Sequence, residues 1–295
     1  MLSLRTSAGI AQVRQLSAAF DLTRAALYKA ASAEPKVAKA RPAREPAPTI
    51  ISNAKLLEQI QPLVQEHPAW GHRKVWAMLR RQGTRVSRRR IWAIMHQHGL
   101  TFIARARRAE PRRGTVAVEE PNRRWCSDMT TVWTRKDGWV AVTPVVDCGC
   151  RSALQIGISK AQDAPAILAP LGTALEDVFQ DPSAVPEELE LRTDHGSVFT
   201  GDDCDKLCTG WRVSHTFAPV GRPTGNAVAE RFIQTMKLEL IWLRDWEDIE
   251  ELRAAIEPWR RFYNDERPHE ALDWQTPSER RAQRLPGDRL LPVAA

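Results

Sequence analysis

Three carboxylate residues stand at points of the sequence where side chains from distant segments could meet. Asp128 lies in a strand-like run, Asp194 ends another run in the stretch LRTDHGSVFT (residues 191–200), and Glu230 falls in the first turns of a predicted long helix. Adjacent central strands would bring the two aspartates together, and a helix packed across the strand ends could aim the glutamate at them. We therefore predict that Asp128, Asp194 and Glu230 form one catalytic site.

Carboxylates held this close together need a counter-charge. Two of them about 4 Å apart repel each other by roughly 4 kcal/mol at an effective dielectric constant of 20, so all three would not stay ionised unaided. Oxygen ligands suit Mg²⁺, for which Mn²⁺ can substitute. Two such ions about 3.5 to 4 Å apart clamp a phosphodiester for in-line displacement. The same three residues are therefore the predicted ligands of two Mg²⁺ ions.

Other acidic residues compete for this assignment. An Asp-x-Gly sequence such as the one at Asp194 is also an ordinary turn signal. Asp147 ends a strand at a turn, and a helix start explains an acidic run that follows Gly201. We rank these rivals below the chosen three: Asp147, Asp202, Asp203 and Asp205.

The elements that must position the three carboxylates form a mixed α/β pattern between residues 121 and 280. Short runs of alternating or β-branched residues predict five strands, and longer apolar-periodic runs predict helices between and after them. Pro144 inside the second strand requires a bulge or an edge position. The predicted order is strands at 124–134, 138–147 and 152–159, a helix at 164–179, a strand at 189–194, a short helix at 201–211, a strand at 212–219 and a long helix at 225–242. The strands at 138–147 and 152–159 form a hairpin.

An all-helical unit precedes this region, at residues 51–110. Apolar residues at helical spacing predict a helix that begins near Asn53, a second after Pro68 that Gly83 ends, and a third that Ser87 caps and Gly99 ends. Trp76 and Trp92 are predicted to be core residues. Three helices with a tight turn before the last one is the layout of a DNA reader.

The first 50 residues divide into two parts. Residues 1–31 contain two short amphipathic runs compatible with a helix-turn-helix, although any small helical hairpin would look similar. Residues 32–50 are Ala-, Pro- and charge-rich without periodicity, which is typical of a linker. Residues 281–295 are predicted to be a C-terminal tail.

Charge is sorted along the chain. Residues 1–124 contain 24 Lys and Arg against 8 Asp and Glu, whereas the remainder contains 19 against 28. A basic half of this kind favours a polyanionic partner, most commonly nucleic acid. The helix dipole disfavours the cations of Arg88-Arg89-Arg90 in a first turn by roughly 0.3 to 1 kcal/mol each. An external anion such as DNA would compensate, although a solvated face remains the alternative.

The composition also limits the class of protein. There is no apolar run long enough to span a membrane and no secretory signal at the N-terminus. We therefore expect a cytoplasmic protein of bacterial type with reduced cysteines and no membrane partner. Cys148 with Cys150, or Cys204 with Cys208, could share a face, but no histidine stands at ligand spacing beside either pair. Zinc is therefore not predicted.

The motifs resemble those of the DDE integrase core, the ribonuclease-H-like domain of retroviral integrases and bacterial insertion-sequence transposases. Residues 195–229, which are 35 residues, separate Asp194 from Glu230, as in that family. RWCSDMTTV, LRTDHGSVFT and GNAVAERFIQTMKLEL match its strand, turn and helix motifs. FYNDERPHEALDWQTPSE resembles the tail of transposases encoded by a second reading frame. The resemblance implies a mixed five-stranded sheet with helices on both faces, preceded by small helix-turn-helix domains.

This resemblance implies transposition. The activity would be metal-dependent nicking at the ends of a mobile element, followed by attack of the freed 3′ hydroxyl on a second DNA strand. The implied partners are double-stranded DNA, as terminal repeats and target, and further copies of the chain in a homo-oligomer. Lys237 lies two helical turns beyond Glu230, where related integrases place a DNA-contacting lysine. The predicted DNA-contacting residues are Arg73, Lys74, Arg88, Arg89, Arg90, Arg231 and Lys237.

A further expectation concerns three residues of the C-terminal motif. Asn264, Arg267 and His269 are expected to stabilise the packing of the tail near the site rather than to contact DNA.

One alternative function is a domesticated or inactive transposase that represses its own element by binding DNA. Another is a nuclease of the same fold that acts on RNA or RNA-DNA hybrids, against which the basic N-terminal half argues.

Overall fold

A computed structural model describes residues 51–101, 118–219 and 226–285 of this chain. The predicted helix pair at 1–31 and the predicted linker at 32–50 lie outside the described residues. Among the helices in the described ranges, none combines the length and the apolar character needed to cross a lipid bilayer.

The first described unit is the expected group of three helices. They are α1 (Asn53–Glu66), α2 (His72–Arg81) and α3 (Arg88–Gln97). The side chains of Ser52 and Ser87 accept hydrogen bonds from the third backbone N–H beyond them and so cap α1 and α3. Trp70 is fully buried in the core of this unit, between the three helices. The predicted cap at Ser87 is confirmed, and the start of α1 is set by Ser52.

The second described unit contains a mixed sheet of six strands. β1 (Arg124–Ser127), β5 (Glu190–Thr193) and β6 (Ser214–Phe217) run parallel, and β3 (Gly138–Asp147) is antiparallel to β1. β2 (Thr130–Thr134) and β4 (Ala153–Ser159) pair with opposite edges of β3. The hairpin of β3 and β4 is confirmed.

The single strand predicted at 124–134 was wrong, because the chain leaves the ladder at Asp128 and Met129. β1 and β2 are the two halves of that strand and pair with the same edge of β3. Together they occupy one position in the sheet, so the six strands fill the five positions expected. Ser127 pairs with Val145 and Thr130 with Val142, a register that puts Asp128 opposite Pro144. Proline has no N–H to donate to the ladder, which gives the break a physical reason. A register shift at Val145/Val146 against β4 is the irregularity that Pro144 required.

Helices cover both faces of the sheet, as expected for this fold class. α4 (Ala164–Phe179) and α5 (Asp202–Gly210) pack with one apolar cluster, which includes Trp125 and Leu191. α6 (Ala227–Glu239) and α7 (Ile249–Asp265) pack with a second cluster on the other face. The strands β1 and β5 therefore lie in a sheet that helices cover on both faces.

Pro170 does not break α4, and a glycine on the sheet explains how it packs. A Cβ atom added to Gly157 of β4 would lie 2.0 Å from Cγ of Pro170. The missing side chain thus lets the helix approach the sheet at its proline.

The tail after α7 folds back as a short 3-10 turn at Glu270–Leu272 and a final helix, α8 (Pro277–Arg284). Thr276 and Glu279 form a capping box at its start. α8 continues across the boundary at residue 280 that we expected between core and tail. Arg281 is 1% exposed and lies 3.4 Å from Asp147, which ties α8 to the end of β3.

Candidate active site

Parallel pairing of β1 with β5 brings the two predicted aspartates to the same edge of the sheet. Cys126 is paired with Arg192, and each aspartate lies two residues beyond its member of that pair. Asp128 and Asp194 therefore leave neighbouring strands at equivalent positions. In open α/β sheets, ligands bind outside the carboxyl ends of the parallel strands.

Asp194 forms the expected turn at the end of β5, and this turn is compatible with the predicted role of its carboxylate. Its Oδ1 accepts a hydrogen bond of 3.0 Å from the backbone N–H of Gly196, the expected Asp turn. The residue is nevertheless exposed at the strand end. A hydrogen bond to one carboxylate oxygen orients the group without removing its charge, so the turn leaves Asp194 able to bind a cation.

A side chain at the start of α6 connects Glu230 to the end of β1. Asn226 precedes the helix, and its Nδ2 donates a 3.0 Å hydrogen bond to the carbonyl oxygen of Ser127, the residue before Asp128. The backbone N–H of Glu230 donates to the carbonyl of Asn226 in the first turn. Ala229 is fully buried, whereas Glu230 is exposed on the adjacent side of the helix. This tie fixes the first turn of α6 beside Asp128.

Burial and neighbouring charges act on the carboxyl group of Asp128. The pKa of Asp128 is raised to about 6, chiefly by burial; the negative charges of Asp194 and Glu230 also raise it, and the hydrogen bond from the N–H of Met129 opposes the rise. Lys237, two turns along α6, lowers the same pKa. Asp128, Asp194, Glu230 and Lys237 therefore share one electrostatic environment.

The donor set fits a hard divalent cation. Three carboxylates supply only oxygen ligands, and burial together with the neighbouring carboxylates disfavours the ionised form of Asp128, which a bound cation would favour. Mg²⁺ and Mn²⁺ prefer such ligands. The carboxylates of Asp128, Asp194 and Glu230 lie further apart than the ligands of a compact metal site. Within the described ranges, the one set of three potential ligand atoms that all lie within 4.8 Å of each other comes from Cys204, Cys208 and His215.

The rival aspartates have other environments. Asp147 is fully buried, and its carboxylate accepts hydrogen bonds from the backbone N–H groups of Asn122, Gly149 and Cys150. Asp202 and Asp203 lie in the first turn of α5. These surroundings agree with the capping and turn roles that ranked them lower.

The predicted cations of α3 lie in different surroundings. Arg88 and Arg89 are exposed and line an open depression together with His72, Arg73 and Trp92. Arg90 instead donates hydrogen bonds to the side chain of Asn53 and the carbonyl of Ile51, and these bonds connect α3 to the start of α1.

Trp92 was wrongly predicted as core. Its side chain is 44% exposed and stacks on His96 on the outer face of α3. The buried tryptophan of this unit is Trp70. Trp76 is partly buried, with its indole N–H donating to the carbonyl of Val86 and its edge against Trp274. Helical spacing alone could not separate these positions, because it gives a face and not what covers it.

Lys74 lies in surroundings that do not suit its predicted contact with DNA. Its ammonium is paired with Glu239 of α6, and the carboxylate of Glu239 is only 4% exposed. The pKa of Lys74 is lowered to about 8, chiefly by burial and then by the neighbouring Arg267, while Glu239 opposes both. The side chain of Lys74 is 28% exposed, and its pairing with a buried carboxylate makes it a weaker candidate for a DNA contact than the exposed arginines.

The sequence analysis did not identify Glu239, whose carboxylate pairs with a cation of the helical unit and a cation of the core. Arg267 makes two hydrogen bonds to it, of 2.7 and 2.9 Å, and is itself buried. His269 lies 3.1 Å from Arg267. We call Lys74, Glu239 and Arg267 the buried ionic cluster.

The surface pairs around the buried ionic cluster hold the same two units together. Arg73 pairs with Glu270 at 2.8 Å, and Arg81 pairs with Glu279 through two hydrogen bonds of 2.7 and 2.8 Å. His67 stacks between Trp70 and Phe262. The expected packing role of the tail is confirmed, since the side chain of Asn264 also bonds both backbone groups of Ala153.

We expect the buried ionic cluster to produce a distinct acid-unfolding window. Burial alone would raise the pKa of Glu239, but Arg267 and Lys74 outweigh it and lower the pKa to about 2 from 4.5. A carboxylate with a depressed folded pKa stabilises the protein fully above pH 4.5 and loses that contribution as the pH falls towards 2, about 3 kcal/mol in all. Urea unfolding of the wild type from pH 6 to 2.5 should show this loss. The slope should be smaller in Glu239→Gln, and equal slopes would contradict the role of Glu239.

Comparisons with known proteins identify similar domains and a similar protein. Residues 118–223 and 211–277 match two models described as an integrase core domain, and residues 52–108 match an HTH-like domain. The chain is 29% identical over 246 residues to the transposase InsD for insertion element IS2A/D/F/H/I/K of Escherichia coli, which covers 78% of this chain and 79% of that protein.

Solved structures also resemble the chain at low identity. A simian T-cell lymphotropic virus intasome in complex with PP2A regulatory subunit B56 gamma has 18% identity and a TM-score of 0.49, over 83% of this chain and 78% of that one. The HTLV-2 integrase catalytic core domain in complex with magnesium has 17% identity and a TM-score of 0.38, over 54% of this chain and 94% of that one.

Proposed function

Because this chain is an insertion-sequence transposase with an integrase-like core that acts in DNA transposition and integration, we propose that it cuts the ends of its element and joins them to target DNA at Asp128, Asp194 and Glu230. In the first step, water attacks the phosphodiester at the element end and leaves a 3′ hydroxyl. In the second, that hydroxyl attacks a phosphodiester of another strand, forms a new phosphorus–oxygen bond and releases the 3′ oxygen of the target.

One feature of the fold supports this proposal most strongly. The carboxyl ends of the parallel strands β1 and β5 carry Asp128 and Asp194 at matching positions, and Asn226 ties the start of the Glu230 helix to the same edge. An acidic cluster at that edge is suited to hold divalent cations against a phosphodiester. The cations would activate the attacking oxygen and stabilise the leaving one.

The residues of the chain would divide the work as follows. Asp128, Asp194 and Glu230 would hold two Mg²⁺ ions, for which Mn²⁺ could substitute. The turn at Gly196 would keep Asp194 oriented, and Asn226 would hold the first turn of α6 at its distance from β1. Lys237 would contact a DNA phosphate near the site, and the exposed Arg231 would contact the backbone further out.

Incubation of the full chain with DNA that carries the flanking terminal repeats tests the function directly. Mapping the strands after incubation should reveal nicks at the element ends and joined products when Mg²⁺ is present, and neither in the presence of a chelator. Sequence-specific binding without nicking or joining would favour the repressor alternative. Cleavage of RNA-DNA hybrids without end-specific cleavage of DNA would favour the hybrid nuclease.

We propose that the helical unit reads the element ends with the exposed face of α3. Arg88 and Arg89 open into the same depression as Arg73 and the exposed Trp92, so cations and an aromatic ring share one surface. Both arginines lie in the first turn of α3, the part of a recognition helix that faces the duplex. Synapsis of two ends requires at least two copies, so a homo-oligomer would form on DNA in the bacterial cytoplasm.

Replacing Arg88 and Arg89 by alanine should reduce affinity for end DNA by about 10-fold or more, and each phosphate that is no longer neutralised should lower the salt slope by about one unit. Fluorescence anisotropy between 50 and 200 mM salt measures both effects. For six to ten neutralised phosphates, the affinity of the wild type should fall about 10³- to 10⁵-fold over that range. Arg253→Ala on α7 is the matched control and should leave binding within about twofold. A salt-independent wild type would overturn the proposed interface.

A further inference from the structure

Two cysteines and a histidine converge behind the strand end that carries Asp194. Cys204 and Cys208 are one helical turn apart on the buried side of α5, and His215 lies in the neighbouring strand β6. Their potential ligand atoms, two Sγ and one imidazole nitrogen, all lie within 4.8 Å of each other. We propose that Cys204, Cys208 and His215 form a zinc site that stiffens the catalytic edge of the core.

The spacing fits tetrahedral zinc. Zinc–sulfur bonds of about 2.3 Å and zinc–nitrogen bonds of about 2.05 Å at tetrahedral angles separate a sulfur and a nitrogen ligand by about 3.6 Å. Nδ1 of His215 lies 3.8 Å from Sγ of Cys204. That distance is long for a hydrogen bond from a weak thiol donor, and it needs little adjustment to become the edge of a coordination tetrahedron.

The imidazole is already oriented for this role. Nε2 of His215 lies 2.9 Å from Oγ1 of Thr193, which leaves Nδ1 facing the sulfurs. Metal-binding histidines generally donate their second N–H to an oxygen, which fixes the ring and its tautomer. The side chain of His215 is only 7% exposed, and both cysteines are buried.

Asp205 supplies the fourth ligand. Its Oδ1 lies 3.9 Å from Nδ1 of His215, and its side chain is 70% exposed, so it can move onto an ion at the outer side of the cluster. Three buried ligands and one carboxylate at the surface give zinc four protein ligands, the number typical of a structural site. They also leave a path from solvent to the site.

This site would act on the position of Asp194 without touching DNA. Oγ1 of Thr193 donates a 3.0 Å hydrogen bond to the carbonyl of Asp194, so an ion at His215 would be linked to the catalytic turn through one hydroxyl. Phe217 adds a second link, because it packs between His215 and His195, the residue after Asp194. Zinc would thereby join α5, β6 and the end of β5.

The test is the metal content of the full chain purified without chelator from a zinc-supplemented culture. We expect about one zinc per chain in the wild type and in Asp128→Asn, which separates this site from the catalytic cations. Cys204→Ser and Cys208→Ser should lose the zinc, whereas Cys126→Ser, an equally buried cysteine outside the cluster, should keep it. Removal of the zinc should lower the melting temperature by several degrees in the absence of DNA and Mg²⁺.

Substitution by Co²⁺ gives a second readout that does not depend on the folding of the variants. Wild-type protein reconstituted with Co²⁺ should show thiolate-to-cobalt charge transfer and the strong visible bands of a tetrahedral site. Asp205→Asn should retain the charge transfer with weaker metal affinity. Wild-type protein that contains no zinc, shows no thiolate band with Co²⁺ or carries a Cys204–Cys208 disulfide would overturn the proposal.

Discussion

Asp194→Asn should abolish nicking and joining of element-end DNA while leaving the protein folded and able to bind that DNA. We expect a fall of about 10³-fold or more in the cleavage rate, since an absent metal ligand removes several kcal/mol of transition-state stabilisation and each 1.36 kcal/mol is a factor of ten. Asparagine keeps the oxygen that accepts from Gly196, so the turn should survive. Labelled end DNA with Mg²⁺, analysed on denaturing gels, measures the rate.

The matched control for this prediction is Asp202→Asn. Asp202 is an acidic residue of the same segment that lies in the first turn of α5, where its loss should cost helix stability of only about 0.3 to 1 kcal/mol. Its cleavage rate should stay within a few-fold of the wild type. Equal activity of Asp194→Asn and wild type would remove Asp194 from the proposed site, and equal inactivity of both variants would point to misfolding.

Glu239→Ala should be the most destabilising single change between the helical unit and the core. It leaves the buried Arg267 and the partly buried Lys74 without a counter-ion, and breaking the buried pair of Arg267 and Glu239 in this way costs about 3 to 5 kcal/mol. Urea unfolding followed by tryptophan fluorescence should record that loss. Because the helical unit can separate before the core unfolds, a second transition is expected in the variant.

Glu270→Ala provides the comparison. Glu270 also joins the tail to α2, through Arg73, but both side chains of that pair are more than half exposed. Exposed pairs contribute about 0 to 1 kcal/mol, so this variant should unfold close to the wild type. A Glu239→Ala variant as stable as Glu270→Ala would mean that water reaches the buried ionic cluster.

The parts of the fold that follow from local rules could be predicted from the sequence. Ser87 caps α3 because a serine oxygen satisfies a free N–H at any helix start. Short β-branched runs separated by turns gave the hairpin of β3 and β4. The motifs around Asp128, Asp194 and Glu230 carried the family resemblance, because they occur in the expected order and spacing along the chain.

Contacts across the chain could not be predicted in this way. Lys74 and Arg73 are consecutive cations, but one lies on the buried side of α2 against Glu239 and the other on its exposed side. Trp92 is exposed although its helix has a buried face. Pattern analysis fixes the angular position of a residue on its helix; it does not reveal which element packs there or whether it brings a partner charge.

The sequence by itself determined the class of chemistry, since its motifs resemble, in order and spacing, those of an integrase core. Tertiary structure alone decided how the first strand breaks at Asp128, opposite Pro144 of a strand that follows it in the chain. It also decided that His215 faces Cys204 and Cys208, because β6 pairs with β5 beside α5. Both depend on strand register, a property of pairs of segments, which no local pattern of side chains encodes.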